Sequence, residues 1–296
     1  MAVEAASAIV DLSAGMPDGV APVELLERGK VLWLPQAPFR VEDSEQRLLS
    51  VALSDGKAKN IRFDPATGML GGTSAQGAER DALVRMLARY AKTARELVTR
   101  LFPGYSGHLE PRLASFRPVP VEGRASSQRK DDTRLHVDAF ASRPNQGRRL
   151  LRVFTNVNPR GMPRVWNVGE PFEAFAARFL PRVPAYSPGF AWLLERLHVT
   201  KTRRSEYDHI MLKLHDLGKL DAQYQRSAPS SRFEFPAQST WICFSDQVLH
   251  AVLAGQFMME QTYFLPVPAM ADPGTSPLRV LERMRGHALV AAEASG

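Results

Sequence analysis

Of 296 residues only one is a cysteine, Cys243. A lone thiol excludes an internal disulfide framework and leaves a Cys-rich zinc site without ligands, so a reducing compartment is expected. Long apolar runs are also missing. The longest uncharged apolar-rich stretch of the second half, Gln247 to Met259, falls well short of the ~20 residues that cross a bilayer. Residues 1–19 lack the basic start of a secretory signal, and their apolar run is broken by Asp11. No export is expected, and the cytoplasm is the expected location. No internal repeat, low-complexity linker or nucleic-acid-binding motif is visible, so no nucleic-acid partner is expected.

What is present fits a soluble enzyme-sized domain. A chain of this length with 44% hydrophobic residues buries a substantial core. Its formal charge of +7 suits an anionic partner, though arginine-rich proteins are often basic without one. Residues 1–105 read as a mainly helical part. Within it, Leu83, Met86, Leu87, Tyr90, Ala94, Leu97, Val98 and Leu101 recur at the three-and-four spacing of a helix from Gln76 to Leu101, stopped by Pro103 and Gly104. Shorter pieces precede it, a helix from Pro22 to Arg28 and a strand from Val31 to Leu34.

Residues 110–268 have a different texture. Leu113–Phe116, Arg134–Phe140, Leu150–Asn156, Trp241–Phe244, Val248–Leu253 and Met258–Leu265 are short runs of β-branched, aromatic and aliphatic residues separated by turn chemistry. A helical insert occupies about 170–220, with helices expected over Pro171–Leu180, Gly189–His198 and Ser205–Leu217. A closing helix is expected over 276–292. The fold class is therefore α+β: a double-stranded β-helix, or jelly roll, with N-terminal, inserted and C-terminal helices, in one domain spanning 1–296.

Seven histidines are available for chemistry, and one opens the triplet His136-Val137-Asp138. On a strand, residues i and i+2 face the same way, so this imidazole and carboxylate could share one ion. His250, at the start of a late apolar run, would complete two histidines and one carboxylate. That facial set, with three positions open, is typical of non-haem Fe(II) oxygenases and not of structural zinc sites. The alternative is that His136 and His250 are unrelated, partly buried histidines. The open positions suit a bidentate 2-oxo acid and O2, and the distal carboxylate of 2-oxoglutarate would need a buried cation. In Arg149 to Asn156, alternation sets Arg152, Phe154 and Asn156 on one face and Leu151, Val153 and Thr155 on the other. Arg152 is the expected cation. Arg149 is expected to be a solvated end charge, unless the register slips by one residue. Asn156 and Gln261 are further candidates for the cosubstrate. His215, among leucines beside Asp216, reads as a helix-face histidine.

Several segments together resemble the bacterial Kdo hydroxylases. They are Ser54–Ile61 with Asp64-Pro65, Arg134–Pro144 with Gly147–Arg152, Tyr207-Asp208 with Leu214-His215-Asp216, and Asp246–Ala251 with Gly255-Gln256 and Glu260-Gln261-Thr262. The resemblance runs from about residue 30 to the closing helix. It implies an Fe(II)- and 2-oxoglutarate-dependent dioxygenase, with O2 as second cosubstrate and His136, Asp138 and His250 as metal ligands and catalytic residues. It also implies hydroxylation at C3 of 3-deoxy-D-manno-oct-2-ulosonic acid (Kdo) on lipid A, giving the Ko sugar of the lipopolysaccharide inner core. Such a substrate is strongly anionic. Arg117, Arg124, Lys130 and Arg134 are then the expected substrate contacts, and peripheral contact with the inner face of the inner membrane is expected. Two alternatives stay open: a 2-oxoglutarate oxygenase for another substrate, and a non-catalytic jelly-roll module binding an acidic glycan. Oligomeric state is not legible.

Overall fold

Strand β6 (Arg149–Asn156) is buried at every position and lies near the middle of the larger sheet. Its antiparallel neighbours are β9 (Thr240–Phe244) and β11 (Met258–Leu265), both also buried throughout. A strand covered on both faces must alternate between two different interiors. Leu151 and Val153 join Ile242, Phe244, Tyr263 and Leu265 in a core closed by helices. Phe154 joins Trp241, Cys243 and Met258 in a second core shared with the smaller sheet. The expected division of β6 into an Arg152/Phe154/Asn156 face and a Leu151/Val153/Thr155 face agrees with this pairing.

The computed structural model describes residues 8–13, 19–36, 38–123 and 127–291. Eight strands form the larger sheet in the order β1 (Ile9–Asp11), β2 (Val31–Leu34), β9, β6, β11, β5 (Glu110–Arg117), β3 (Ile61–Phe63) and β4 (Leu70–Gly71). The β1–β2 pair is parallel, and the other pairs are antiparallel. The smaller sheet runs β10 (His250–Ala254), β7 (Arg164–Gly169), β8 (Ser230–Phe235). The sheets meet through aromatic rings: Trp166 lies edge-on to Phe154 at 5.1 Å and to Trp241 at 5.5 Å, and Phe235 stacks on Trp241 at 4.1 Å. Edge-to-face and offset-stacked rings fill such a layer without voids.

Helix α1 (Pro22–Glu27) packs beside β2, and α2 (Gly77–Leu101) lays nine buried residues, from Ala82 to Val98, against the sheet. The insert comprises α3 (Phe172–Phe179), α4 (Pro188–Arg196), α5 (Glu206–Leu220) and α6 (Ala222–Ser227). Helix α5 starts on a capping box, because Ser205 Oγ accepts from Asp208 N–H while the Asp208 carboxylate accepts from Ser205. The same carboxylate accepts from Asn145 and Gln146 N–H, tying the insert to the turn before β6. Helix α7 (Pro277–Arg285) ends the described chain's regular structure.

The described part of residues 1–105 carries more helix than strand, and it also supplies four short strands: β1 and β2 extend one edge of the larger sheet and β3 and β4 the other. Three expectations need correction. Arg134–Phe140 is not a strand. It is irregular chain with one bridge, His136 to His250. The closing helix stops at Arg285 because Gly286 takes φ +78°, a left-handed cap, and Ala292 lies outside the described residues. The insert runs past 220 to Ser227, since Asp221 caps a further helix by accepting from Tyr224 N–H. Among the described residues, no helix is long and apolar enough to cross a membrane.

Candidate metal centre

The irregular segment before β6 and the first residue of β10 are zipped together at one point. His136 N–H donates to His250 O at 3.0 Å, and His250 N–H returns the bond to His136 O at 2.9 Å. Their rings consequently lie 4.6 Å apart. Two residues on, Asp138 N–H donates to Ser245 O at 2.8 Å, which turns its carboxylate toward the same point. One ligand atom each from His136, Asp138 and His250 all fall within 4.8 Å of one another.

Each histidine has its tautomer set by backbone. His136 Nδ1 lies 2.7 Å from Arg134 O and His250 Nδ1 lies 2.8 Å from Val248 O. A carbonyl can only accept, so Nδ1 carries the proton and Nε2 keeps a lone pair for a metal. Burial holds the His136 ring well below its usual value, and the neighbouring His250 and Lys219 charges push the same way. Burial likewise lowers His250. For Asp138 burial acts upward, but the Arg152 charge beside it opposes this most strongly, and the carboxyl is held below the ordinary range. The donor set is two neutral imidazoles and one carboxylate, which is the protonation state a divalent ion requires. It fits iron.

Arg152 stands beside this set. Its Nη1 is 3.0 Å from Asp138 Oδ2 and 3.4 Å from Glu260 Oε1. It also lines a cavity of about 250 Å³ with Arg62, Arg112, Phe140, Arg143 and Glu260. Glu260 pairs in turn with Arg117. The register explains the gathering: Arg152 lies opposite Thr262, Phe154 opposite Glu260, and Glu260 opposite Ser115, so these side chains share one face.

The other expected site residues divide. Arg149 is not a solvated end charge but fully buried on the opposite face. It donates to Asp246 Oδ2 at 2.8 Å and Gln247 Oε1 at 2.6 Å, and stacks on Phe244. Gln261 also points away from the metal ligands, with Nε2 donating to Arg112 O and Thr262 O. Asn156 shares the Arg152 face, yet its amide is spent on Met162 O and Phe235 O. Thus neither Arg149, Gln261 nor Asn156 is placed to take a cosubstrate. Among the expected substrate contacts, Arg117 and Lys130 line a smaller cavity of about 40 Å³. Arg134 is turned to Lys219 O and Asp131, and Arg124 lies outside the described residues.

Residues not singled out from sequence also converge here. Trp166 stacks on the His250 ring at 4.9 Å. Arg164, buried beside Arg117, donates Nη1 to Gly255 O at 2.9 Å, and burial followed by the Arg117 charge pushes its guanidinium down to about 9. Gly255 is required there: it has φ +117°, and a Cβ would meet Arg164 Cδ at 2.8 Å. Both Arg164 and Trp166 alternate onto one face of β7, a strand whose Val-Trp-x-Val pattern carried the signal. His215 is not an isolated helix-face histidine. Its ring stands perpendicular to His136 at 5.4 Å, and its Nδ1 is 3.0 Å from Asp216 Oδ1. Arg117 Nε, Arg152 Nε, Arg164 Nε and Trp166 Nε1 are buried donors with no acceptor among the described residues. Buried donors left unpaired call for an explanation, and a bound anion is one.

Two buried imidazoles and a carboxylate beside Arg152, which itself lines a cation-rich cavity on the larger sheet, define the class of non-haem Fe(II) oxygenases. Comparison with known proteins gives the particular family. Residues 18–288 match the model of the 3-deoxy-D-manno-oct-2-ulosonic acid (Kdo) hydroxylases, and the chain belongs to that family. Among solved structures it is similar to the Kdo hydroxylase KdoO, a non-haem Fe(II) α-ketoglutarate-dependent dioxygenase, in complex with α-ketoglutarate and Fe(III). There the TM-score is 0.89 and the identity 46%, covering 93% of this chain and 92% of that one. It is also similar to KdoO with cobalt(II), at TM-score 0.93 and 44% identity over 98% and 100% of the two chains. No curated protein sequence matches significantly.

Proposed function

We propose that this protein is an Fe(II)- and 2-oxoglutarate-dependent hydroxylase that adds one oxygen at C3 of Kdo carried on a lipid A precursor, at the inner face of the inner membrane. The observation that carries the reading is the convergence of His136, Asp138 and His250 beside a buried, under-paired Arg152. The jelly-roll reading of the fold is supported by two sheets that enclose an aromatic layer and present the ligands at their rim.

His136 Nε2, His250 Nε2 and one Asp138 oxygen would hold iron, which supplies the redox chemistry coupling oxidative decarboxylation of 2-oxoglutarate to hydroxylation. The protein's share is binding and orientation. Arg152 would pair with the distal carboxylate of 2-oxoglutarate, releasing its ion pair to Asp138 so that the aspartate faces the metal alone. The orphan donors of Arg117, Arg164 and Trp166 supply further hydrogen bonds on the same side, so Arg117 is reassigned from the sugar to the cosubstrate. Glu260 holds Arg152 and Arg117 in place. Arg62, Arg112 and Arg143 at the cavity would face the acidic sugar. His215, polarised by Asp216, stands against the ligand His136 and would keep that ring oriented.

Anaerobic addition of Fe(II) and 2-oxoglutarate to the protein tests the site. A weak visible charge-transfer band is expected, and its absence in the His250→Ala variant is expected too. No band from the intact protein at saturating ligand would reject the cosubstrate assignment.

A further inference from the structure

Helix α4 is amphipathic the wrong way round for a surface helix. Its buried side is little more than Ala191, while the solvent side carries Phe190, Trp192 and Leu193, followed by Leu197 and Val199. These five are each between 42% and 63% exposed, and they make up most of the nine large apolar side chains exposed among the described residues. Scattered singly such residues need no account, but five within ten positions form a patch. Its surroundings are basic. From Pro188 to Arg204 there are four cations, Arg196, Lys201, Arg203 and Arg204, against Glu195 alone, which Arg203 engages at 3.3 Å.

The patch adjoins the mouth of the metal site. Lys201 N–H donates to Ser142 O at 2.9 Å, and Arg204 donates to Ala141 O at 2.7 Å. Ala139 to Arg143 form one wall of the 250 Å³ cavity beside Arg152. The exposed apolar face, the basic rim and the cavity opening are therefore parts of one surface.

We infer that α4 and the turn after it are the docking surface by which the protein seats on an anionic phospholipid bilayer, with the cavity opening toward the headgroups. An aromatic and leucine-bearing face enters the headgroup–acyl boundary, while flanking cations meet lipid phosphates. Trp192 suits that boundary, having an apolar body and a polar N–H. The orientation follows from the proposed lipid-linked substrate; the surface itself follows from exposure and charge alone.

The test uses the full chain and vesicles of phosphatidylcholine with or without phosphatidylglycerol. The intact protein is expected to co-sediment with the anionic vesicles, with Trp192 emission shifting to the blue, and to be released by salt. Phe190→Ser/Trp192→Ser/Leu193→Ser is expected to lose at least about tenfold in vesicle affinity, since each deleted side chain removes buried apolar area. The same variant keeps its decarboxylation of 2-oxoglutarate and its activity on a water-soluble, deacylated Kdo sugar. Arg196→Glu/Lys201→Glu, which spares the apolar face, is expected to weaken binding only to the anionic vesicles. Failure of the intact protein to bind, unchanged binding by both variants, or a halved molecular mass in the triple variant, which would make a second copy the occupant, overturns the inference. If vesicle binding behaves as expected but Kdo-lipid A gains no oxygen, the docking surface stands and the substrate assignment falls.

Discussion

Two arginines three residues apart on β6 are both buried, yet they have opposite fates. Arg149 is sealed: Asp246 and Gln247 accept from its guanidinium, and the Phe244 ring covers it. Arg152 shares the Asp138 and Glu260 carboxylates at ion-pair distance, leaves Nε without an acceptor among the described residues and borders a cavity. Burial therefore does not separate a structural cation from a ligand-binding one. What separates them is whether the protein itself completes the hydrogen bonds, because a buried donor without a partner costs about 1–3 kcal/mol unless a ligand supplies one.

The largest expected effect comes from the metal ligands on the Arg152 side. His136→Ala or His250→Ala should lower iron affinity and turnover by more than about 100-fold, exceeding the usual effect of residues that merely support ligands. Near wild-type 2-oxoglutarate decarboxylation by either variant would remove the triad from the account. Next, Arg149→Ala should destabilise the fold by about 3–5 kcal/mol, as it strands the Asp246 carboxylate in the core. Chemical denaturation measures this, and a loss under about 1 kcal/mol would mean that Arg149 is not structural. Arg152→Ala should instead raise the KM for 2-oxoglutarate roughly tenfold to a hundredfold, matching the loss of one charge-assisted hydrogen-bonded pair. Equal effects on KM from the two arginine variants would dissolve the comparison.

The legible part of the site was the part with a period. The alternation of β6 can be read directly, because strand geometry converts spacing into facing, whereas the HxD triplet and the late histidine are legible by residue type and spacing although the triplet's segment is not a strand. Strand β11 is legible at both ends from its residue types, a run of aliphatic, aromatic and β-branched side chains. Arg149 is not legible as a paired cation, because its partners, Asp246 and Gln247, are nearly a hundred positions away and nothing local distinguishes a paired cation from a solvated one. Arg164 and Trp166 lie on β7, a short strand between Pro163 and Pro171 whose two valines and tryptophan are a weak local signal. His215 reaches His136 only because α5 packs beside the irregular 134–138 segment, a tertiary contact that no local pattern encodes. Irregularity also hid the metal segment itself: it was expected as a strand, and it is held by one two-bond bridge and by Ser245.

Smaller effects sharpen the contrast further. Glu260→Gln keeps an acceptor for Arg152 and Arg117 but removes the charge, and should raise the KM for 2-oxoglutarate about tenfold or less, below the loss of a whole charge-assisted pair. An unchanged KM would limit Glu260 to packing. Asp132 gives the smallest effect. Burial acts to raise its carboxyl, but the charges of Lys59 and Arg117 outweigh this and hold it below 3.8. A carboxyl depressed in the folded state stabilises the protein above its ordinary value, and that contribution is lost as pH falls below it. Asp132→Asn should therefore flatten the fall of Tm with acid below about pH 4; a Tm profile parallel to the wild type would exclude this pairing.

The site in which His136, Asp138 and His250 meet beside Arg152 is proposed to hydroxylate a lipid-linked Kdo. The direct measurement is mass spectrometry of Kdo-lipid A after incubation with the purified protein, Fe(II), 2-oxoglutarate and 18O-labelled O2. The account predicts a gain of one labelled oxygen located at C3 of Kdo, lost in His250→Ala and recovered at high 2-oxoglutarate in Arg152→Ala. An unmodified lipid from protein shown to bind iron and 2-oxoglutarate would contradict it.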